Sequence, residues 1–210
     1  MIDENGKLIF TIGHSNQGSQ RFLKLLTDNS IQILVDVRSS PHSRFASQFN
    51  AMTLKKALAD RGIRYFYMGN ELGGRPPEPS MYDREGHALY DLMARSPLFL
   101  RAVKRLLKGS ANRRIALMCS EEDPSECHRH LLVGRVVAQN GVKVLHIRAD
   151  GRVLTDEQLE KSNVRESIAS SQLAMFSEQK GASWRSAKSI RSASRNGAQK
   201  SFSKPSSKLE

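Results

Sequence analysis

The chain is poor in cysteine: 210 residues hold only two. Two thiols build no disulfide framework, so a reducing compartment, the cytoplasm, is the expected location. Long apolar runs are missing too. No stretch approaches the roughly 18 residues that a membrane span needs, and no membrane partner is expected. The opening "MIDENGKLIF" is not a basic segment followed by an apolar one, so it does not read as a secretory signal. Several chemical fingerprints are also absent. There is no Cys-x-x-Cys redox pair. A Cys-x5-Arg phosphatase loop starting at Cys119 fails, because Ser125 stands where its arginine should be. "LGGRPPEP" (72–79) has too few glycines in the right order for a dinucleotide or P-loop fingerprint.

What is present is positive charge, unevenly spread. The net charge is +12. Residues 1–160 carry 23 Lys and Arg against 18 Asp and Glu, and residues 161–210 carry 10 against 3. The last quarter of the chain therefore holds most of the excess. From about 179 it is dominated by serine, lysine and arginine, with too few apolar side chains to offset the entropy of ordering, and disorder is expected there. Such a segment suits a polyanion, most simply nucleic acid, or serves only to solubilise.

The first 160 residues alternate strand and helix signals. Apolar or β-branched runs at 7–13, 31–37, 63–68, 113–119 and 142–147 read as strands. Helical spacing covers 19–29, 53–62, 84–108 with a break near Ser96-Pro97, and 124–140. The expected fold is α/β: a mostly parallel sheet of about five strands with helices on both faces, followed by a disordered basic C-terminal tail. The expected divisions are a single domain over 1–160, a short helix or linker over 161–178, and the tail over 179–210.

Ligands of such sheets lie beyond the carboxyl ends of the strands. Polar chemistry collects there, at Gly13-His14-Ser15, Arg38 to Arg44, Asn70 to Arg75 and Cys119 to Asp123. Asp123, Pro124 and Glu126 have the order of a capping box, which explains them without catalysis. The helix they start would turn Leu132, Val133, Val136 and Val137 inward together with Arg129. A buried arginine needs a partner, Asp36 or Glu121, or else it addresses a substrate anion. Cys119, at a strand end, is either a nucleophile or a small buried hydrophobe. The acids beside it would raise its pKa. His14 suits a general acid/base or a substrate contact, and His146, inside a strand, suits the core. A metal site from Cys119, Cys127 and a histidine has only one cysteine pair, eight apart, to support it. Accordingly, neither metal nor cofactor is assigned.

Four segments together, "TIGHS" (11–15), "DVRSSPHSR" (36–44), "YFYMGNELGG" (65–74) and the Cys-x7-Cys-His-Arg segment "CSEEDPSECHR" (119–129), resemble the family catalogued as domain of unknown function 488. The resemblance spans roughly 7–151, through "HIRADG" (146–151). It implies one α/β domain whose motif residues line one site, and it brings no reaction with it. His14, Ser15, Asp36, Arg38, Pro41, Ser43, Cys119, Glu121, Cys127, His128 and Arg129 match its motifs by position.

"QLAMF" (172–176) resembles the bacterial sliding-clamp-binding pentapeptide, with methionine in place of a leucine, a volume-conserving change. Gln172, Leu173, Met175 and Phe176 would be its anchors in a preformed groove. The bland reading is the apolar end of a helix. The sequence thus points to a DNA-associated enzyme acting on nucleic acid or a nucleotide-like anion. His14, Cys119, Glu121 and His128 would be catalytic, and Ser15, Asp36, Arg38, Ser43 and Arg129 would contact substrate. A DNA-associated adaptor without catalysis, or rhodanese-like sulfur transfer at Cys119, are the alternatives.

Overall fold

The computed structural model describes residues 7–162 and 184–190. Strands β1 (Leu8–Gly13), β2 (Ile33–Asp36) and β4 (Ile115–Cys119) are the most apolar runs, and they take the centre of the sheet. β3 (Arg64–Tyr67) alternates exposed and half-buried side chains, as an edge strand does. With β5 (Lys143–Ile147) and β6 (Val153–Thr155) the sheet order is β3-β2-β4-β1-β5-β6. The first five strands are parallel, and β6 pairs antiparallel with β5. The α/β fold with a mostly parallel sheet is as expected. The sixth strand is additional: three residues following a turn are too short to carry a periodic signal.

Helices cover both faces. α1 (Ser19–Asp28) and α2 (Ala51–Ala59) bury Phe22, Leu23, Leu26, Leu54 and Leu58 against Phe10, Ile12, Leu34, Ala116 and Met118. The opposite face packs Ile9, Val35, Val37, Ile115, Leu117 and Cys119 under α5 (Pro97–Ser110) and α6 (Arg135–Gln139). Between β3 and α5 lie the short helices α3 (Gly69–Leu72) and α4 (Tyr90–Arg95). The break at Ser96 is real: its side chain accepts from the Phe99 amide 3.2 Å away, and Pro97 starts α5.

The expected helix over 124–140 is divided. Asp123 caps a single 3₁₀ turn, Pro124–Glu126, by accepting from the Ser125 amide at 2.8 Å. Cys127 then reverts to extended backbone, and a π-helical stretch, Arg129–Gly134, leads into α6. The capping box stays half made, because the Glu126 carboxylate turns to Lys188. The inward face is nonetheless as expected: Arg129, Leu132, Val133, Val136 and Val137 are all buried.

The tail expected to lack order from 179 includes 184–190, and these residues do not stand free. The Tyr90 amide donates to the Trp184 carbonyl, and Ser186 exchanges bonds with Ala88. The Trp184 indole donates to the Leu131 carbonyl at 2.7 Å beneath the Arg135 guanidinium. One tryptophan, one buried serine and Ile190 give this basic stretch the apolar grip that its overall composition conceals. The clamp-like residues Gln172, Leu173, Met175 and Phe176 lie outside the described residues. No helix among the described residues is long and apolar enough to cross a membrane.

Because Trp184 is the single tryptophan, its emission reports this docking directly. Native protein should emit to the blue of the urea-unfolded chain. Equal emission maxima in the two states would show that the segment is not packed on the domain.

Candidate functional site: a thiol and imidazole cluster

Consecutive connections leave β1 toward one side of the sheet and return after β3. The loops following β1, β2 and β4 therefore meet at the carboxyl end of the sheet, with Gly13 beside Cys119 and Asp36 beside Met118. Side chains of successive strand residues point to opposite faces. His14 and Asp36 consequently belong to one face, with Phe49 and Met118, and Cys119 belongs to the other. The motif residues thus gather as two clusters on opposite faces of the strand ends, near enough that Cys119 acts electrostatically on Arg38 and Arg129 on His14.

The first cluster is closed. Asp36 is fully buried and holds Arg38 through both carboxylate oxygens, at 2.9 and 2.6 Å, while the Tyr65 hydroxyl donates to the same carboxylate at 2.8 Å. Arg38 also donates to the Phe49 carbonyl at 2.8 Å. Its remaining nitrogen lies 3.0 Å from His14 Nε2. His14 Nδ1 faces the Ser15 carbonyl at 2.7 Å, and a carbonyl can only accept, so Nδ1 carries the proton and Nε2 accepts from Arg38. Burial, helped by the Arg38 guanidinium, lowers the His14 pKa to about 4 against the pull of the Ser15 carbonyl. The ring stacks on Phe49 at 4.4 Å. With both ring nitrogens engaged, His14 is a neutral structural imidazole, and Arg38 has no free edge for a substrate anion. Ser15 is exposed in a left-handed turn, where its amide bonds the Ser120 carbonyl. Ser43 shapes its own loop, accepting from the Phe45 and Ala46 amides.

The second cluster is of another kind. Cys119 and Cys127 are both buried, and their sulfurs lie 3.8 and 3.9 Å from Nδ1 of His128. His128 Nε2 donates to the Val37 carbonyl at 2.9 Å, which leaves Nδ1 as a lone pair turned toward the sulfurs. Gly74 is pressed against the imidazole; a Cβ there would meet the ring at 2.7 Å, so only glycine fits without displacing it. A hydrogen bond to Cys127, and burial, push the Cys119 thiol well up. Burial would also raise Cys127, but the bond from Cys119 and the Arg129 guanidinium draw that thiol down.

Arg129 supports this cluster without a carboxylate. Neither expected partner, Asp36 nor the Glu121 side chain, takes it. Its guanidinium donates to the backbone carbonyls of Glu121 and, at 2.7 Å, Glu122. This fastens the 120–122 loop over Gly13, where an added Cβ would strike the Glu121 carbonyl. Glu121 itself is exposed and contributes its carbonyl. The neighbouring Glu122 carboxylate pairs with Arg148 at 2.8 Å, which holds its pKa below the usual range.

Tyr65 escaped the sequence reading. Tyr65 pairs with Leu34 across β2 and β3 and so shares the face of Asp36, which strand parity could have shown.

A mostly parallel α/β sheet carrying a buried Cys-Cys-His cluster at its carboxyl end defines the class of domain. The chain belongs to the family described as Domain of unknown function DUF488, whose model matches residues 19–136. That span includes Asp36, Arg38, Cys119 and the whole Cys-His-Arg segment. No curated protein and no solved structure matches.

The buried histidines set an acid limit. His14 and His130 both have pKa values lowered by burial to about 4, against about 6.5 in the unfolded chain. Between those values the unfolded state binds more protons, so stability falls as pH drops from about 6.5 to about 4, on the order of 3 kcal/mol for each histidine. Urea midpoints measured over that window should decline. His14→Gln should show a shallower decline, and an unchanged slope would contradict the buried neutral assignment.

Proposed function

We propose that this domain is an enzyme whose reactive centre is the Cys119, Cys127 and His128 cluster, and that its substrate is nucleic acid or a nucleotide-like anion. The observation that carries the reading is the bare Nδ1 of His128 turned toward two buried sulfurs at the carboxyl end of a parallel sheet. A purely apolar role for the cysteines would not require an imidazole oriented upon them. Arg38 and Arg129 act here as positioning residues, Arg38 through Asp36 and the Phe49 carbonyl and Arg129 through its two terminal nitrogens on the Glu121 and Glu122 carbonyls.

Support for an anionic, base-bearing substrate comes from the loops around this centre. Arg75 follows Gly74, which touches the His128 ring, and Arg75 is exposed with no ion pair among the described residues. Further along the chain from Val37, the partner of His128, Arg44 is exposed next to Phe45, which is 88% exposed, although their neighbours Ala46 and Phe49 pack on the opposite face. A cation beside an open aromatic face suits phosphate and a stacked base. The basic tail and the clamp-like Gln172–Phe176 stretch would bring the domain to DNA and to the sliding clamp.

A second reading is sulfur transfer at Cys119, whose thiol sits at the strand end 3.8 Å from Nδ1 of His128.

The test is a panel of single-stranded DNA, duplex DNA, RNA and free nucleotides incubated with the full chain. Turnover of at least one of them is expected. Cys119→Ser and His128→Ala should each lower kcat/KM by about 100-fold or more, and Arg44→Ala with Phe45→Ala should mainly raise KM. Full activity in both cluster variants would rule the centre out. Removing 163–210 should weaken DNA binding and flatten its salt dependence. Sliding clamp should bind the full chain, and should not bind the Gln172→Ala, Phe176→Ala double variant.

A further inference from the structure

We infer that Cys119, Cys127 and His128 form a binding site for one soft divalent metal ion, zinc foremost, with a fourth coordination position left open. The inference shares its residues with the centre proposed above but does not require that centre to turn over a substrate.

The donor atoms come first. Two Sγ atoms and one Nδ1 lie within 4.8 Å of one another, with sulfur to nitrogen distances of 3.8 and 3.9 Å. Tetrahedral zinc, with bonds of about 2.3 Å to sulfur and about 2.0–2.1 Å to nitrogen, sets those separations near 3.5 Å. A contraction of about 0.3–0.4 Å, within the reach of side-chain rotation, closes the site. Two thiolates and an imidazole are the ligand set that selects zinc over the hard cations.

The support of the histidine comes second. A metal-bound histidine almost always donates its other ring N–H to a carbonyl or carboxylate, which fixes its tautomer. His128 does this with the Val37 carbonyl at 2.9 Å, and Gly74 packs on the ring and fixes its position. The third argument is charge. Two thiolates balance a dication, and beside them lies Arg129, fully buried, whose Nε has no hydrogen-bond partner among the described residues. Neither guanidinium contact is to a carboxylate.

Two other groups offer three metal-type donors, and in each most are engaged by protein partners, although Nδ1 of His130 and of His87 has no hydrogen-bond partner among the described residues. His146 is bonded to Thr11 at 2.8 Å and to Asp156 at 2.7 Å. In the other group, the carboxylates of Asp83 and Glu85 hold Arg185. Neither of those groups offers sulfur, so among the three the Cys-Cys-His cluster is the one suited to a soft ion.

The chain contains no other cysteine, so any metal–thiolate signal must come from this cluster. The experiment uses the untagged full chain, produced with zinc supplementation and dialysed free of loose metal. Elemental analysis should find about one zinc per chain. Replacement by cobalt should give a thiolate-to-cobalt charge-transfer band and the intense visible bands of a tetrahedral site. A mercurial thiol reagent should release the zinc from the unmodified protein at two equivalents per chain, a readout that needs no variant. Cys127→Ser and His128→Gln should lower the zinc content at least tenfold, with circular dichroism confirming that they fold. Metal-free wild-type protein, cobalt spectra without the sulfur band, or full zinc content in folded Cys127→Ser would each overturn the inference. Bound zinc without turnover would leave the site standing and remove the enzyme reading. Turnover by metal-free protein would do the reverse.

Discussion

The buried ion pair between Asp36 and Arg38 is the contact on which the carboxyl end of the sheet depends. A carboxylate with no exposure is tolerable only if its charge is met and its oxygens are bonded. Asp36 meets this with Arg38 and Tyr65, and Arg38 in turn ties down His14 and the Phe49 carbonyl. The ends of β1, β2 and β3 and the start of α2 are thereby held by one guanidinium and one carboxylate. Breaking such a pair from one side costs about 3–5 kcal/mol, since the surviving charge stays buried.

Its consequence crosses the sheet. Val37 lies between the two partners, so the pair fixes the backbone whose carbonyl receives His128. On that opposite face, Arg129 fastens the 120–122 loop, and the extended Cys127 brings its thiol back beside Cys119. The π-helical stretch from Arg129 begins directly after this reversal, in keeping with the tendency of π turns to sit at functional sites. One face of the strand ends is a static brace and the other holds sulfur and imidazole. The brace explains why Arg38, which looks like an anion binder in sequence, is spent within the protein.

Much of this architecture was legible in the residues. The apolar runs at β1, β2 and β4 and the Ser96-Pro97 break announce their elements through local chemistry alone, and the Asp123 cap does the same. The grouping of Cys119 and His128 followed from reading strand ends together. What escaped was non-local or short. The separation of His14 and Asp36 from Cys119 depends on strand parity and register. The division of 124–140 depends on one extended residue, Cys127. The packing of Trp184 and Ser186 against Ala88 and Leu131 is invisible in a tail whose average composition is that of a solvated chain.

The central claim is geometric: the protein presents the Nδ1 lone pair of His128 to the sulfurs of Cys119 and Cys127. Nitrogen-15 chemical shifts of the His128 ring, recorded near neutral pH and assigned by a His128→Gln comparison, test it most directly. The account predicts a neutral ring protonated at Nε2 with Nδ1 bare or metal-bound. A ring protonated at Nδ1, or doubly protonated, would contradict it.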